Sequence, residues 1–319
     1  MVNNLNGIQV SDLELISGKP MLIHVDPQGE KVTDWAQNNH SDINRLLDQN
    51  GALLIRGLRI SGSKQLSRVL SEIFSMPLLS YVYRSTPRTQ LRANVYTATE
   101  YHPDETILQH NESSYSNKWP TKIGFFSQVA ASIGGETPIA DSHKVFEAIP
   151  VEIREKFIAK KVMYVRNYQD IDLPWSEVFQ TTDKTKVESY CRDNDIQFEW
   201  IGNNGLRTKQ INQATLKHPH TNKDVWFNQA HLFHVSSLTK STKESLVEVL
   251  GKENLPRNAY FGDGSEIDEQ DLDVIRRVYA DNEIVFKWQE NDLMILDNLA
   301  FSHGRKPFSG ERKTLTAMA

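Results

Sequence analysis

Two side chains in the stretch Leu108–Glu112 are of types that bind metal ions. His110 and Glu112 are separated by one asparagine, and the residues before them alternate in a strand-like pattern. On a β-strand, residues i and i+2 point to the same face, so an imidazole nitrogen and a carboxylate oxygen would project side by side. One more histidine would complete a two-histidine, one-carboxylate facial triad, the ligand set of non-haem Fe(II) oxygenases.

The triplet alone is weak support for a metal site. Ten histidines and 41 acidic residues in 319 positions predict roughly 1.3 His-x-acid matches by chance, and four occur, at His24, His40, His102 and His110. The acid after His24 precedes a proline in a turn, and the acid after His40 suits a helix start. A proline separates His102 from its acid. Only His110 has strand-forming residues on both sides.

The missing histidine is best supplied by His303. It follows the apolar strand predicted at Asp292–Asp297, and Gly304 beside it permits close approach of a ligand. His231 and His234 compete, since their i, i+3 spacing would place them on one helical face. They lack an acid at suitable spacing, however, and are better explained as pocket-lining or core residues. From the residues alone, His303 is the preferred partner of His110 and Glu112, and an ordinary half-buried histidine stays open as the alternative for His110.

Composition narrows the class of protein. Acidic and basic residues are interspersed, with a net charge of −5, so the one-sided basic stripe of a nucleic-acid binder is missing. No apolar run is long enough to span a membrane, and the N-terminus lacks the pattern of a signal peptide. The only cysteine, Cys191, excludes a disulfide framework within the chain and fits a reducing compartment. We expect a cytoplasmic protein that binds neither nucleic acid nor membrane.

Strand-like patterns at both ends surround a mixed middle region. Apolar residues at helical spacing predict helices at Ser63–Phe74, Val151–Lys160, Lys184–Asp193 and Glu269–Tyr279. Strands are predicted at Lys122–Val129 and Lys313–Met318. The pattern predicts one domain over residues 1–319 of the α+β, mainly β class, a β-sandwich or jelly roll with a helical insertion at roughly residues 151–290, before the last strands.

Three motifs together resemble those of a known family. His110-Asn-Glu112, Gly134-Gly-Glu-Thr-Pro-Ile-Ala-Asp141 and His303-Gly-Arg-Lys-Pro-Phe-Ser-Gly-Glu-Arg312 resemble the TauD/TfdA family of Fe(II)/2-oxoglutarate dioxygenases. The likeness is to its SyrP-like, clavaminate-synthase-like branch in particular, and it covers roughly residues 50–319. It implies a double-stranded β-helix (jelly roll) fold, an Fe(2+) cofactor held by His110, Glu112 and His303, and 2-oxoglutarate and O2 as cosubstrates.

The resemblance also implies residues for the cosubstrate. Thr137 matches the threonine that hydrogen-bonds 2-oxoglutarate. Arg312 matches the arginine that pairs with the far carboxylate of 2-oxoglutarate, and a planar guanidinium suits that role because it binds a carboxylate bidentately. Many members place this arginine about fourteen or fifteen residues after the distal histidine, whereas Arg312 lies nine after His303. Arg305 therefore stays open as the alternative.

The reaction expected by resemblance is hydroxylation of an unactivated C–H bond in natural-product biosynthesis. Related halogenases lack the metal-binding carboxylate, so Glu112 favours hydroxylation or desaturation over chlorination. SyrP-like relatives oxidise amino acids, either free or tethered to a carrier protein. A desaturase or epoxidase, a small-acid (sulfonate, betaine-like) catabolic dioxygenase and a non-catalytic jelly-roll binding module are the alternatives. A zinc hydrolase is less consistent with Thr137 and Arg312.

Residues that would contact the substrate are less well defined. The candidates are Asn228, His231, Arg207 and Asp263, each with a simple structural alternative. Asp263 and the glycine after it form a common turn dipeptide, and Arg207 suits a surface strand. The expected partner is an amino-acid-like small molecule or a carrier-bound aminoacyl group, and the chain is compatible with a homo-oligomer.

Overall fold

The computed structural model describes residues 4–5, 8–11, 21–169 and 171–319. Its strands are β1 (Asn4–Leu5), β2 (Ile8–Ser11), β3 (Met21–Val25), β4 (Ala52–Arg56), β5 (Tyr96–Thr97), β6 (Ile107–His110), β7 (Lys122–Val129), β8 (Ile133–Gly134), β9 (Ile139–Asp141), β10 (Val162–Tyr168), β11 (Gln197–Ile201), β12 (Gly205–Asn212), β13 (Thr215–Lys217), β14 (Asp224–Trp226), β15 (Arg257–Phe261), β16 (Leu293–Asp297), β17 (Phe301–Arg305), β18 (Phe308–Ser309) and β19 (Lys313–Met318).

The helices lie before, between and within the strand regions. They are α1 (Val32–Asn50), α2 (Ser63–Phe74), α3 (Ser142–Ala148), α4 (Val151–Lys160), α5 (Trp175–Val178), α6 (Lys184–Asp193), α7 (Ala230–Phe233), α8 (Lys240–Leu250) and α9 (Glu269–Asp281), with short 3-10 turns at Val235–Ser237 and Lys252–Asn254. In the described residues, no helix is both long and apolar enough to cross a lipid bilayer.

A large sheet forms the centre of the molecule. Its strand order is β1-β2-β3-β4-β16-β7-β19-β5, and its pairs are antiparallel except for β3 with β4. Strand β16 shows how the sequence builds two cores, because neighbouring side chains point to opposite faces. Leu293 and Ile295 pack with helices α1 and α2 on one face. Met294 and Leu296 face the other core.

That other core lies between the large sheet and a small sheet of order β6-β17-β9. Ile139 from β9 and Phe301 from β17 pack there against Phe125 of β7. The two stacked sheets are the jelly roll that was expected. Strand β17 is the central strand of the small sheet, and it pairs His303 directly with His110 of β6. The fold therefore joins two distant parts of the sequence at one point.

Residues 142–281 form an insertion between β9 and β16. It is mixed rather than purely helical, because it contains a four-stranded antiparallel sheet of order β11-β12-β10-β15 beside its helices. One face of this sheet is buried: Tyr164 and Tyr168 of β10 pack with Leu206 and Phe261 from the neighbouring strands. Cys191 lies in the same core and is fully buried.

Candidate active site

Three side chains from the two ends of the jelly roll meet at one point. One potential ligand atom from each of His110, Glu112 and His303 lies within 4.8 Å of the other two, and all three residues are buried. The His110 and His303 ring centroids are 4.6 Å apart, and His303 Nε2 lies 3.7 Å from Glu112 Oε2. In the described part of the chain this is the group of histidine and acidic side chains that could hold a metal ion, and its donor set suits Fe(II). His231 and His234 are not part of it.

Glu112 reaches this point by a route that the strand pattern did not predict. Strand β6 ends at His110, and Glu112 lies in the turn that follows. Asn298 fixes the turn: its Oδ1 accepts from the Glu112 amide at 2.7 Å, and its Nδ2 donates to the Glu112 carbonyl at 3.0 Å. The side chain of Asn111 faces inward and donates to Ser142 Oγ and to the Asn298 carbonyl.

His110 is held in the state that a metal requires. Its Nδ1 lies 2.8 Å from the Leu108 carbonyl. A carbonyl can only accept, so Nδ1 carries the proton and Nε2 keeps a free lone pair. Burial is the main cause, and the nearby His303 the second, that lowers the pKa of His110 to about 4. The imidazole is therefore neutral at neutral pH, as a metal ligand must be.

Arg88 is a part of this site that sequence reasoning missed. Its Nη2 donates to Glu112 Oε2 at 2.7 Å, and both side chains are only 3% exposed. The guanidinium stacks on the Tyr81 ring, 4.7 Å from the ring centroid. Burial by itself raises the pKa of Glu112, but the charge of Arg88 and the contact with His303 bring it well below its ordinary value. Glu112 is therefore a carboxylate, and Arg88 keeps it one.

Thr137 lines the same cavity as His110 and His303. Its side chain is buried, and its Oγ1 accepts a hydrogen bond from the indole of Trp288 at 3.1 Å. An indole N–H only donates, so the threonine hydroxyl keeps its own proton available for another acceptor. The cavity thus contains one oriented hydroxyl donor close to the metal-binding cluster.

Arg312 and Arg305 both line this cavity, but their hydrogen bonds differ. Arg305 donates from Nη1 to the Tyr101 carbonyl and from Nη2 to the carbonyls of His102 and Glu105. Its terminal nitrogens are therefore committed to the backbone of one loop. Arg312 donates only from Nε, to the Gly135 carbonyl at 3.0 Å. Within the described residues its two terminal nitrogens have no hydrogen-bond partner, and so they are the ones available to an anion.

The Gly134-Gly135 turn packs closely against Arg312 and Pro307. Both glycines have positive φ angles, +69° and +73°, which side chains rarely adopt. A Cβ at Gly135 would lie 2.9 Å from Arg312 Cδ, and a Cβ at Gly134 would lie 2.1 Å from the Pro307 carbonyl oxygen. The two glycines therefore allow the arginine to pack against the backbone at the cavity wall.

The four residues predicted to contact substrate lie outside the wall of this cavity. Asn228 is buried and uses its amide on the backbone, donating to the Ala214 carbonyl and accepting from the Ala230 amide. His231 lies 2.9 Å from the Gln109 carbonyl through Nε2, and its ring stacks on Tyr279. Both side chains hydrogen-bond the backbone, in β6 for His231 and in the insertion for Asn228. These contacts favour the structural alternative for both residues.

Arg207 and Asp263 also lie outside the wall of the metal-site cavity. Arg207 donates to Asn167 Oδ1 and to Asn254 Oδ1 on the face of β12 opposite the buried one. Asp263 is half exposed, accepts from Ser265 and pairs with Lys160, which is the simple turn role. Neither residue lines the metal-site cavity, and both side chains bind other residues of the insertion, which favours the structural alternative for each.

Comparison with known proteins gives the family. The family model for taurine catabolism dioxygenase TauD, TfdA family, matches residues 17–318. The chain is 41% identical over 305 residues to the dapdiamide synthesis protein DdaC of Enterobacter agglomerans, covering 95% of this chain and 92% of DdaC. It is 30% identical over 288 residues to a clavaminate synthase-like protein of Arabidopsis thaliana, covering 86% and 83% of the two chains.

Solved structures agree on the fold. PvcB of Pseudomonas aeruginosa aligns with 100% of this chain and 94% of its own at a TM-score of 0.56 and 15% identity; it is described as an Fe, alpha-ketoglutarate dependent oxygenase from an isonitrile synthetic pathway. An asparagine oxygenase bound to Fe(II) aligns at a TM-score of 0.56 and 11% identity over 90% of this chain and 83% of its own. The jelly-roll prediction is confirmed, and the chain belongs to the TauD/TfdA family of non-haem Fe(II)/2-oxoglutarate-dependent dioxygenases.

Proposed function

We propose that this dioxygenase hydroxylates an unactivated C–H bond of an amino acid or an amino-acid-derived substrate. The observation that carries the proposal is the meeting of His110, Glu112 and His303 beside Thr137 and Arg312. Two imidazoles and one carboxylate leave coordination positions open, and a hydroxyl and a guanidinium nearby suit a diacid. A zinc hydrolase would need the first group but not the second.

In this proposal His110, Glu112 and His303 hold the iron. When bound, the iron supplies the oxidation of a substrate C–H bond, coupled to conversion of 2-oxoglutarate and O2 to succinate and CO2. Arg88 keeps Glu112 ionised and holds its carboxylate in place beside His303. The Leu108 carbonyl keeps the lone pair of His110 on Nε2. The protein's share is thus to orient three ligands in their binding states.

Thr137 and Arg312 are assigned to 2-oxoglutarate. The Thr137 hydroxyl donates to one of its oxygens, while Trp288 holds that hydroxyl in place. The terminal nitrogens of Arg312 bind the far carboxylate, since Arg305 is occupied by the loop at residues 101–105. The cavity is only about 30 Å³, and we therefore expect Arg312, held by one hydrogen bond, to move when the cosubstrate enters.

The substrate class rests on relatives. DdaC is named for the synthesis of dapdiamide, and the asparagine oxygenase was solved with 3-hydroxyasparagine and succinate. The 41% identity to DdaC covers nearly the whole chain, which favours an amino-acid-derived substrate in a biosynthetic pathway. Glu112 favours hydroxylation or desaturation over chlorination, because it occupies the position that chloride would need on the metal.

The test is succinate release with Fe(II), 2-oxoglutarate and O2 across free amino acids, their amides and carrier-bound aminoacyl thioesters. We expect one subset of compounds to raise succinate release well above the substrate-free rate. Mass spectrometry of the product then distinguishes gain of one oxygen atom from loss of two hydrogen atoms. Glu112→Ala should abolish turnover.

A control variant separates the site from the fold. Asp263→Ala changes an exposed turn and should leave succinate release unchanged. Binding of 2-oxoglutarate to the Fe(II) enzyme under anaerobic conditions should give a visible charge-transfer band. If that band is missing while the protein is folded and loaded with iron, the proposal fails and a binding module becomes the better explanation.

A further inference from the structure

A buried arginine outside the metal-binding cluster has no partner in the described residues. Arg166 lies on strand β10, is 1% exposed, and none of its three side-chain nitrogens has a hydrogen-bond partner. An arginine cannot lose its proton to escape this situation. A buried, unpaired charge is strongly unfavourable, and buried charges in proteins are normally paired.

The neighbours of Arg166 are polar groups that also lack partners. The register places Arg166 opposite Thr208 of β12, and paired residues of an antiparallel sheet share a face. Thr208 Oγ1 and the Tyr168 hydroxyl are buried without a hydrogen bond. The guanidinium carbon lies 4.8 Å from the Tyr168 ring centroid and 5.5 Å from that of Tyr83. These cation–π contacts recover only part of the lost hydration.

The acidic side chain near Arg166, Asp172, is already paired with another arginine. Asp172 binds Arg257 through two nitrogens, with Nε to Oδ2 at 2.9 Å and Nη2 to Oδ1 at 2.7 Å. Arg257 is the cross-strand neighbour of Arg166 on β15. Two guanidinium groups therefore lie near one carboxylate, and that carboxylate is hydrogen-bonded to Arg257 and not to Arg166. One positive charge is left over among the described side chains at this point of the insertion.

Tyrosine side chains lie between this charge and the metal-binding cluster, and Tyr115 interacts electrostatically with both Arg166 and Glu112. A cavity of about 270 Å³ is lined by Tyr81, Tyr83, Tyr115 and Tyr190, among others. Tyr81 stacks on Arg88, which binds Glu112, and Tyr83 stacks on Arg166. The metal-site cavity is much smaller, at about 30 Å³. The body of a substrate therefore has more room in the larger cavity, whose tyrosines Tyr81 and Tyr83 contact the two guanidinium groups.

We propose that Arg166, with the hydroxyls of Tyr168 and Thr208, binds a carboxylate of the substrate. This rests on the proposed function and names the substrate class: an acid whose carboxylate is remote from the C–H bond that reacts. The phenol of Tyr168 stays protonated, because burial raises its pKa, and can donate. A guanidinium and two hydroxyls together supply donors for both oxygens of a carboxylate. Binding a carboxylate here requires no change in the protonation of Arg166, Tyr168 or Thr208.

The first experiment needs neither iron nor turnover. Thermal melts of the wild-type protein and Arg166→Met are recorded in increasing sodium formate, with NaCl replaced to hold ionic strength constant and with Mn(II) and 2-oxoglutarate present. Wild type should show a saturable rise in melting temperature. Arg166→Met should show none, and without formate it should melt at the same or a higher temperature, because an unpaired buried charge has been removed.

Two outcomes of this experiment overturn the proposal. An equal response to formate in both proteins would mean that the anion binds elsewhere. A large loss of stability in Arg166→Met without formate would mean that Arg166 is a structural part of the core of the insertion. Arg166→Lys keeps the charge and should retain a weaker formate response.

The second experiment distinguishes a substrate carboxylate from a free inorganic anion. A compound found active in the succinate-release screen is compared with its methyl ester. We expect Arg166→Met to lower kcat/KM for the acid by at least about thirtyfold, as for loss of one partner of a buried charge pair, and to change the ester little. Equal loss for acid and ester, with chloride as effective as formate in the melts, would indicate an inorganic-anion site and refute the proposal. A formate response without any active compound would leave the anion site standing and reject the proposed function instead.

Discussion

The pair of Arg88 and Glu112 gives a prediction about the metal-free protein. Breaking a buried ion pair by removing one partner costs about 3–5 kcal/mol, because the remaining charge is left unpaired; both side chains are 3% exposed here. Unfolding entropy of about 2.1 cal/mol/K per residue gives roughly 0.7 kcal/mol/K for a chain of 319 residues. Arg88→Met should therefore lower the melting temperature of the metal-free protein by about 4–7 °C.

A double-mutant cycle tests the cause. Adding Glu112→Gln to Arg88→Met removes the unpaired charge and should restore most of the lost stability. Mn(II) should stabilise Arg88→Met more than wild type, because the ion replaces the missing positive charge beside Glu112. Arg84→Met is the matched control: Arg84 donates only to the carbonyls of Tyr81 and Arg88, so Glu112→Gln should not rescue it. The assigned role of the buried pair is refuted if metal-free Arg88→Met has the melting temperature of wild type. It is also refuted if the double variant is no more stable than Arg88→Met.

Three further substitutions test two residues at or beside the cavity wall and one residue in an exposed turn. Gly135→Ala places a methyl group 2.9 Å from Arg312 Cδ at a φ of +73°. It should weaken 2-oxoglutarate binding at least about tenfold (about 1.4 kcal/mol), as measured by titration of the charge-transfer band. Iron binding should be unchanged. Trp288→Phe removes the donor to Thr137 Oγ1; loss of a neutral hydrogen bond of about 0.5–1.5 kcal/mol should raise the 2-oxoglutarate KM a few-fold, and an unchanged KM would contradict the role given to the indole. Asp263→Ala should change the melting temperature by less than about 1 °C, as expected for an exposed pair, and a larger loss would show that this turn is part of the folded core.

The sequence predicted the elements with strong periodicity and missed groups whose role depends on distant contacts. Helix α2, with its strict apolar spacing, begins and ends as predicted at Ser63 and Phe74. Glu112 was expected on a strand and lies in a turn, because Asn298, 186 positions away, binds its backbone. Arg88 has no spacing signal that links it to Glu112, since the two lie 24 positions apart and belong to no common helix or strand.

The substrate candidates show a related difficulty. Asn228 is a polar residue among apolar neighbours in the sequence, which is equally typical of a pocket residue and of a side chain that satisfies buried backbone. Sequence alone cannot decide between these, because the answer depends on the carbonyls that the fold brings near. Arg166 has no distinguishing signal in the sequence, and its burial and lack of a hydrogen-bond partner are seen only in the folded chain.

The position of the insertion has a consequence for how the chain folds. Glu112 and His303 are 191 positions apart, and 140 of these, residues 142–281, belong to the insertion. Closing a loop of 191 rather than 51 residues costs only about 1.2 kcal/mol more in chain entropy, so the insertion scarcely affects equilibrium stability through loop length. Pairing of β6 with β17 is nevertheless a non-local contact, and such contacts slow folding. Metal binding during refolding should therefore appear late, as a signal that the two ends of the jelly roll have found each other.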